Sequence, residues 1–401
     1  MLSLKLAWRN LWRNKRRTGI TMASVVMAVV LSTVMGSMQQ GQYDQMIDNT
    51  VGAFAGHIQI QADGYRDEPT LDNGFESIDI PEHSDIKAIV PRLDTYALAA
   101  GAQRSKAAMV LGIDIDAERE LSAPHKKVVE GKYFESNAQN GLLIAAGLAD
   151  FLNVSLGDTL ALLGSGFQGQ SANGLFPIIG ILKFGIPEMN QSMIYMPLTT
   201  AQEFSAAYGR LTTISIVLHQ PKRIERVTET LNAALPDGLV ALDWPELMPE
   251  LVQAIQADRG SSYIILMILY MVVGFGIFGT VLMMTAERRF ELGVMLSIGT
   301  SRARLMGMLI LEMSFITFIG TAMGILLSLP ILVWFNMNPL RFSGEMAEAI
   351  IEYGMEPFIR FSLDPVIPVI QGFIILVVTL IISIQPVLHV RKLNAIRAMR
   401  H

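Results

Sequence analysis

The sequence predicts a membrane α-helical protein with four transmembrane helices and a large α+β extracytoplasmic domain inserted between helices 1 and 2. Three observations carry that reading. First, four stretches reach the roughly 20 apolar residues that a bilayer crossing demands, at 18–39, 261–286, 313–340 (in a third transmembrane helix over 305–340) and 365–388. Second, the polar stretch 40–260 between the first two is of ordinary domain size and holds 28 acidic against 15 basic residues, a net charge of 15 − 28 = −13. Third, the basic residues cluster in three other places. They are Lys5, Arg9, Arg13, Lys15, Arg16 and Arg17 before the first run, Arg288, Arg289, Arg302 and Arg304 between the second and third, and Arg391, Lys392, Arg397 and Arg400 after the fourth. All three clusters fall on one side of a four-span topology, which the positive-inside rule makes cytoplasmic. Hydrophobic residues form 51% of the chain and charged ones only 17%, so the apolar surplus is a membrane surplus.

Residues 1–17 are expected to form an amphipathic helix on the inner membrane face, with Leu4, Trp8, Leu11 and Trp12 on one side. A basic flank that only sets topology fits the same residues. The first run, 18–39, exceeds the length of a signal-peptide core and is not followed by a small-residue cleavage site, so it reads as a retained anchor. Within 40–260, strands are predicted at 57–62, 107–113, 160–164, 176–182, 192–198 and 212–218, and helices at 141–153 and 222–235. The glycine-rich 164–174 stretch reads as a loop or hairpin tip, and the domain as two lobes. Tyr43, Met46, Ile47 and Val51 extend the helical pattern beyond the first run, and Leu247, Leu251 and Ile255 lead into the second. Both helices are thus expected to project as stalk ends of the domain. In the 341–364 outer loop, Met346, Ala349, Ile350 and Tyr353 predict a short amphipathic helix, and Asp364-Pro365 a helix start.

The segment 287–304 is the one charged, helix-patterned stretch that interrupts the apolar runs. Glu287, Arg288, Arg289 and Glu291 open it, Leu292, Met295, Leu296 and Ile298 recur at helical spacing, and Gly299-Thr300-Ser301 breaks the pattern. A short helix between two spans suits docking into a groove of a soluble partner; a solvated loop fits the spacing equally. Glu312 is an acid beside an apolar run, close enough to the cytoplasmic face to pair with a nearby Arg.

Enzyme chemistry is not expected of this chain. It contains no cysteine, its six histidines are scattered, and no G-x-x-x-x-G-K-[ST], H-E-x-x-H or G-x-S-x-G occurs. No metal site and no nucleic-acid partner are expected. Gly274-Phe-Gly-Ile-Phe-Gly279 matches a dinucleotide fingerprint only in letters, because it sits mid-span; it reads as packing glycine, like Gly320 and Gly324.

The arrangement resembles the FtsX/MacB-type permeases of ABC transporters, most of all their lipoprotein-releasing (Lol) branch. The resemblance rests on LAWRNLWRNKRRT (6–18), GHIQIQADGY (56–65), GLLIAAGLADFLNVSLGDTLALL (141–163), YMPLTTAQEF (195–204), ERRFELGVMLSIGTSRARLMGMLILE (287–312) and QPVLHVRKLNAIRAM (385–399). It implies that 287–304 is a cytoplasmic coupling helix on a separate ATP-binding subunit, shaped by Glu287, Arg288, Arg289, Glu291, Gly293, Gly299 and Ser301. ATP and Mg would act in that partner, with no cofactor bound by this chain. A second permease, the same or homologous, and membrane lipid complete the implied partners, together with an extracytoplasmic lipoprotein or carrier. The implied function is ATP-driven mechanical extraction or export of a lipoprotein, lipid or peptide from a bacterial inner membrane. Met27, Val34, Met35, Met38, Met267, Met271 and Phe275 offer adaptable apolar surface for such cargo, although each equally suits helix packing or lipid. The alternative is an FtsX-like regulator that transports nothing and switches an extracytoplasmic enzyme.

Overall fold

The computed structural model describes residue 9 and residues 15–81, 83–352 and 357–391. The expected amphipathic helix at 1–17 falls largely outside the described residues, as do Tyr353 and the tail from Lys392. The described chain divides into two compact units. One takes the residues up to Gln45, Ala254–Arg341 and those from Phe358; the other takes Met46–Gln253 and Phe342–Pro357.

The first unit is helical. Its helices are α1 (Lys15–Thr50) and α2 (Pro249–Glu287), of which residues 46–50 and 249–253 belong to the second unit, with α3 (Arg289–Ser297), α4 (Arg302–Met337) and α5 (Val366–Arg391). Among the described residues α1, α2, α4 and α5 are each long and apolar enough to cross a membrane. α1 and α2 run beyond the apolar windows, and their polar turns are tied to one another. Tyr43 donates its hydroxyl to Asp258 at 2.8 Å, and the Arg259 guanidinium lies 5.2 Å above the Tyr43 ring. The expected cap at Asp364 is present, its carboxylate accepting the Val366 amide at 3.0 Å.

Close backbone approach sets the helix packing. A Cβ on Gly324 would lie 2.7 Å from that of Val29, and one on Gly320 would lie 3.1 Å from that of Val25, so the two glycines of α4 seat the valines of α1. Gly41 is tighter still, with the Arg360 carbonyl 2.3 Å from where a Cβ would stand. Next to it Ser37 and Ser362 exchange hydrogen bonds of 2.6 and 3.0 Å, which holds the entry to α5 on α1. The glycines of 274–279 differ from expectation. Gly274 touches Ile382, whereas Gly276 and Gly279 meet no other part of this chain, so within the chain only the first is a packing position. Val25, Ala28 and Val29 meet Ile277, Val281, Met284, Met313, Ile316 and Ile375 in a shared core.

The second unit is built on one sheet. Its strands are β1 (Ile58–Ala62), β2 (Ile86–Ala100), β3 (Ser105–Ile113), β4 (Val128–Gly131), β5 (Leu142–Ala145), β6 (Thr159–Ser165), β7 (Ser171–Leu182), β8 (Met193–Pro197), β9 (Thr213–Leu218) and β10 (Leu239–Asp243). Among the described residues the order is β10-β1-β9-β2-β3-β8-β5-β7-β4, with β6 pairing β2 and β7. Two cores lie on it. One gathers the β3, β5, β6, β7 and β8 side chains, and the other gathers β1 and β9 with the helix Ile224–Ala234. The two expected lobes are these two cores on a continuous sheet.

Two departures have physical reasons. Residues 141–153 are not one helix: Leu142–Ala145 form β5, and only Ala146–Leu152 are helical. The four strand residues are all buried, and a fully buried apolar run carries no period to tell strand from helix. The 15-residue β2 escaped because Pro91, Arg92 and Asp94 break its apolar pattern. Those residues are the polar heart of the sheet. Arg92 is buried against Glu118, and the Asp94 Oδ1 atom is sealed without a hydrogen-bond partner. Its other oxygen accepts the Thr213 hydroxyl at 3.3 Å.

Burial pushes the Asp94 carboxyl up to about 6, against the lowering pull of Arg92. The folded protein thus holds this proton at pH values where the unfolded chain has released it. The contribution is full below about pH 4 and is lost as pH rises through 6, a loss on the order of 2–3 kcal/mol at most. Asp94→Asn is expected to flatten that fall, measured as the thermal midpoint of the full chain in detergent between pH 4 and 7. A second expectation concerns the helix packing. Gly324→Val should cost about 1–3 kcal/mol in the same assay, whereas Gly276→Ala should be near neutral.

Candidate functional site

The α2–α3–α4 corner is assembled by one turn and one ion pair. α2 ends at Glu287, and the chain turns at Arg288, which flanks the N-terminus of α3 and whose carbonyl accepts the Leu292 amide at 2.9 Å. α3 ends where Gly299 takes a φ of +98°, a left-handed conformation that a residue with a side chain resists. The Gly299 and Thr300 amides donate to Leu296 and Met295, closing the helix before α4 begins at Arg302. Leu292 packs with Leu305 and Leu309, supported by Met295, Leu296 and Met306, so α3 lies on the first turns of α4.

The Arg288 side chain does not face outward. It is buried and donates to Glu312 at 2.5 Å, with both side chains no more than 3% exposed. Glu291 stands 4.0 Å from the same guanidinium and is 42% exposed. Glu312 therefore has the arginine partner that its position beside an apolar run called for. Two charges leave water only when paired, so the contact fixes the base of α3 onto α4.

Around this braced base the expected residues divide. Glu287, Gly299 and Ser301 are exposed, Glu291 is half-buried and Gly293 is buried; the Arg289 side chain lies outside the described residues. Two residues not picked out as outward-facing complete the surface. Phe290 is 52% exposed and Ile298 is 79% exposed, one at each end of α3, with Arg302 and Arg304 exposed beyond. Ile298 shares the helical spacing of Leu292, Met295 and Leu296, but α3 ends at Ser297 and Ile298 lies outside the cluster those three join. Phe290 carried a signal of its own, an aromatic residue inside a charged entry. The corner presents an apolar anchor at either end of a charged helix. Among the described residues no His, Asp and Glu cluster could hold a metal.

The apolar candidates are spread over two helices. Met27 of α1 and Met267, Met271 and Phe275 of α2 are more than half exposed and face away from the shared core, while Val34, Met35 and Met38 are half-buried.

A family model described as the MacB-like periplasmic core domain matches residues 18–234, and one described as the FtsX-like permease C-terminal matches residues 263–395. The chain belongs to the FtsX/MacB/Lol family of ABC transporter permeases. The second match covers the whole braced corner. The permease is 23% identical over 341 residues to the lipoprotein-releasing system transmembrane protein LolC of Neisseria meningitidis serogroup B, covering 81% of each chain. It is 23% identical to the LolE protein of the same system in Haemophilus influenzae, over 67% of this chain and 66% of that one. Against the macrolide export ATP-binding/permease protein MacB of Agrobacterium fabrum it is 21% identical, over 93% of this chain but 58% of that one.

Removing one partner of the brace should be costly, because it strands a buried charge. Arg288→Ala is expected to lose about 3–5 kcal/mol of stability in detergent, and the paired Arg288→Met/Glu312→Leu substitution to recover most of it.

Proposed function

We propose that this permease couples ATP hydrolysis by a separate cytoplasmic ATP-binding subunit to the mechanical extraction or export of a lipoprotein, lipid or peptide from the inner membrane. The observation that carries the proposal is α3 itself, a short exposed helix whose base is locked by Arg288 and Glu312. A rigid helix with an outward Phe290 and Ile298 is suited to a groove, and the exposed charges at its entry suit the groove's rim. Because Leu292, Leu305 and Leu309 tie α3 to α4, a push on α3 is delivered to the membrane helices rather than absorbed locally.

The basic residues support the orientation in this proposal: Arg302 and Arg304 favour a cytoplasmic α3, with the acidic sheet domain outside. Lipoprotein is the cargo class best supported, because the match to the LolC relative covers four-fifths of both chains whereas the MacB relative is spanned only in part. The exposed Met267, Met271 and Phe275 supply soft apolar surface that suits acyl chains, and a second permease would complete the binding face.

The test is co-purification and turnover. Glu287→Lys/Glu291→Lys and Ile298→Asp are each expected to weaken association with the ATP-binding subunit by about tenfold or more, with the permease still folded. An ATPase that binds these variants as tightly as the parent would sink the docking role of α3. ATP hydrolysis in lipid discs that rises on adding a triacylated lipoprotein supports transport; hydrolysis indifferent to any acylated cargo would favour a regulator instead.

A further inference from the structure

The sheet domain contains a second buried ion pair, and its position is unusual. Arg92 lies at the middle of β2, paired with Thr213 of β9 on one side and Ile113 of β3 on the other. Its side chain is 1% exposed, and that of Glu118, at the start of the short helix Glu118–Leu121, is 0% exposed. The guanidinium donates through Nε at 2.9 Å and through a terminal nitrogen at 2.5 Å to the two carboxylate oxygens, a bidentate fork. Ser122 adds its hydroxyl to the same carboxylate.

The remaining terminal nitrogen of Arg92 leaves the sheet and donates to the backbone carbonyl of Phe54. The Phe54 ring lies 5.3 Å from the centre of the same guanidinium. Phe54 sits in a single π-helical turn, Val51–Ala55, which directly follows Thr50, the last residue of α1. The turn is closed by the Gly56 amide on the Val51 carbonyl at 2.8 Å, after which the His57 amide joins the Ile216 carbonyl of β9 at 2.9 Å.

Three physical points converge here. The last carbonyls of a helix lack amide partners and carry its negative end, so a buried cation on Phe54 caps the extension of α1 with a charge-assisted bond. π-turns are uncommon and gather at functional positions. A buried ion pair adds little stability over a well-packed apolar trio, so stability alone does not explain a buried Arg–Glu–Ser group at the root of a long helix.

We propose that Arg92 is a mechanical joint inside the sheet domain, gripping by Phe54 the helical turn in which α1 runs out, while Glu118 and Ser122 anchor the grip. A displacement of residues 46–55 reaches the centre of the sheet through this arginine. The inference rests on the transporter reading for its purpose, though not for the grip itself.

The test needs a variant that folds without the grip. Arg92→Met/Glu118→Leu/Ser122→Ala replaces the polar trio by apolar side chains and leaves no buried charge, and Phe54→Leu removes the ring but keeps the carbonyl. Hydrogen exchange on the full chain in lipid discs should show the amides of 51–57 exchanging about tenfold or more faster in the triple variant, with β5 and β8 unchanged. Unchanged exchange at 51–57 overturns the joint, whatever the protein transports. In the complex with its ATP-binding subunit, the triple variant should keep the parent's thermal midpoint and ATP hydrolysis. Release of a fluorescent triacylated lipopeptide per ATP should fall about tenfold, with Phe54→Leu in between. Equal release per ATP in parent and triple variant overturns the transmission role, and so does a variant that loses hydrolysis together with release. A parent complex that releases nothing refutes the transporter reading and the transmission role with it, while the exchange result still decides the grip.

Discussion

A charge taken out of water has to be met by an opposite charge, and in this permease that constraint fixes two buried ion pairs. At the α2–α3–α4 corner, Arg288 and Glu312 are sealed at 2.5 Å, and α3 cannot tilt away from α4 without exposing or stranding one of them. The leucines behind the pair add apolar contact, but the pair sets the angle and register at which α3 leaves the membrane helices. The outward residues Phe290, Ile298 and Glu287 inherit their presentation from that internal contact.

The sheet domain repeats the device in another setting. Arg92 and Glu118 lie where β2 is flanked by β3 and β9, and the pair is spent partly on a backbone carbonyl outside the sheet. Asp94, two residues along β2, shows the cost of polar groups there, since its buried oxygen has no partner and its proton is held to about pH 6. Between the helices the same economy is met by glycine rather than charge. Gly41, Gly320 and Gly324 let backbones approach where no side chain fits, and Ser37 with Ser362 satisfies the polar groups so exposed.

Legibility in the sequence followed the length scale of each signal. The membrane helices announced themselves as long uncharged runs, and short apolar runs bounded by turn residues marked β1, β3, β6, β7, β8 and β9 close to where they lie. β2 was missed because Arg92 and Asp94 look like surface residues until a partner 26 positions away, Glu118, is folded against the first of them. β5 was read as helix because four buried apolar residues have no period. At the corner, the charged entry and the Gly299 break were visible, yet the inward turn of Arg288 and the outward turn of Ile298 were not.

By itself, then, the sequence determined the number of spans, the inserted α+β domain, the family motifs and the location of the charged corner, because each depends on composition or on local backbone preference. Only the tertiary structure decided which charges are partners and which are surface. Arg288 and Glu291 have the same standing in the sequence, three residues apart in one charged run. One is buried on Glu312 and the other half-exposed, because α4 returns beside α3 and covers just one of them. Likewise Phe54 is an unremarkable aromatic until β2 brings Arg92 to its carbonyl. Pairing across the chain is a property of where two elements meet, and no local pattern records it.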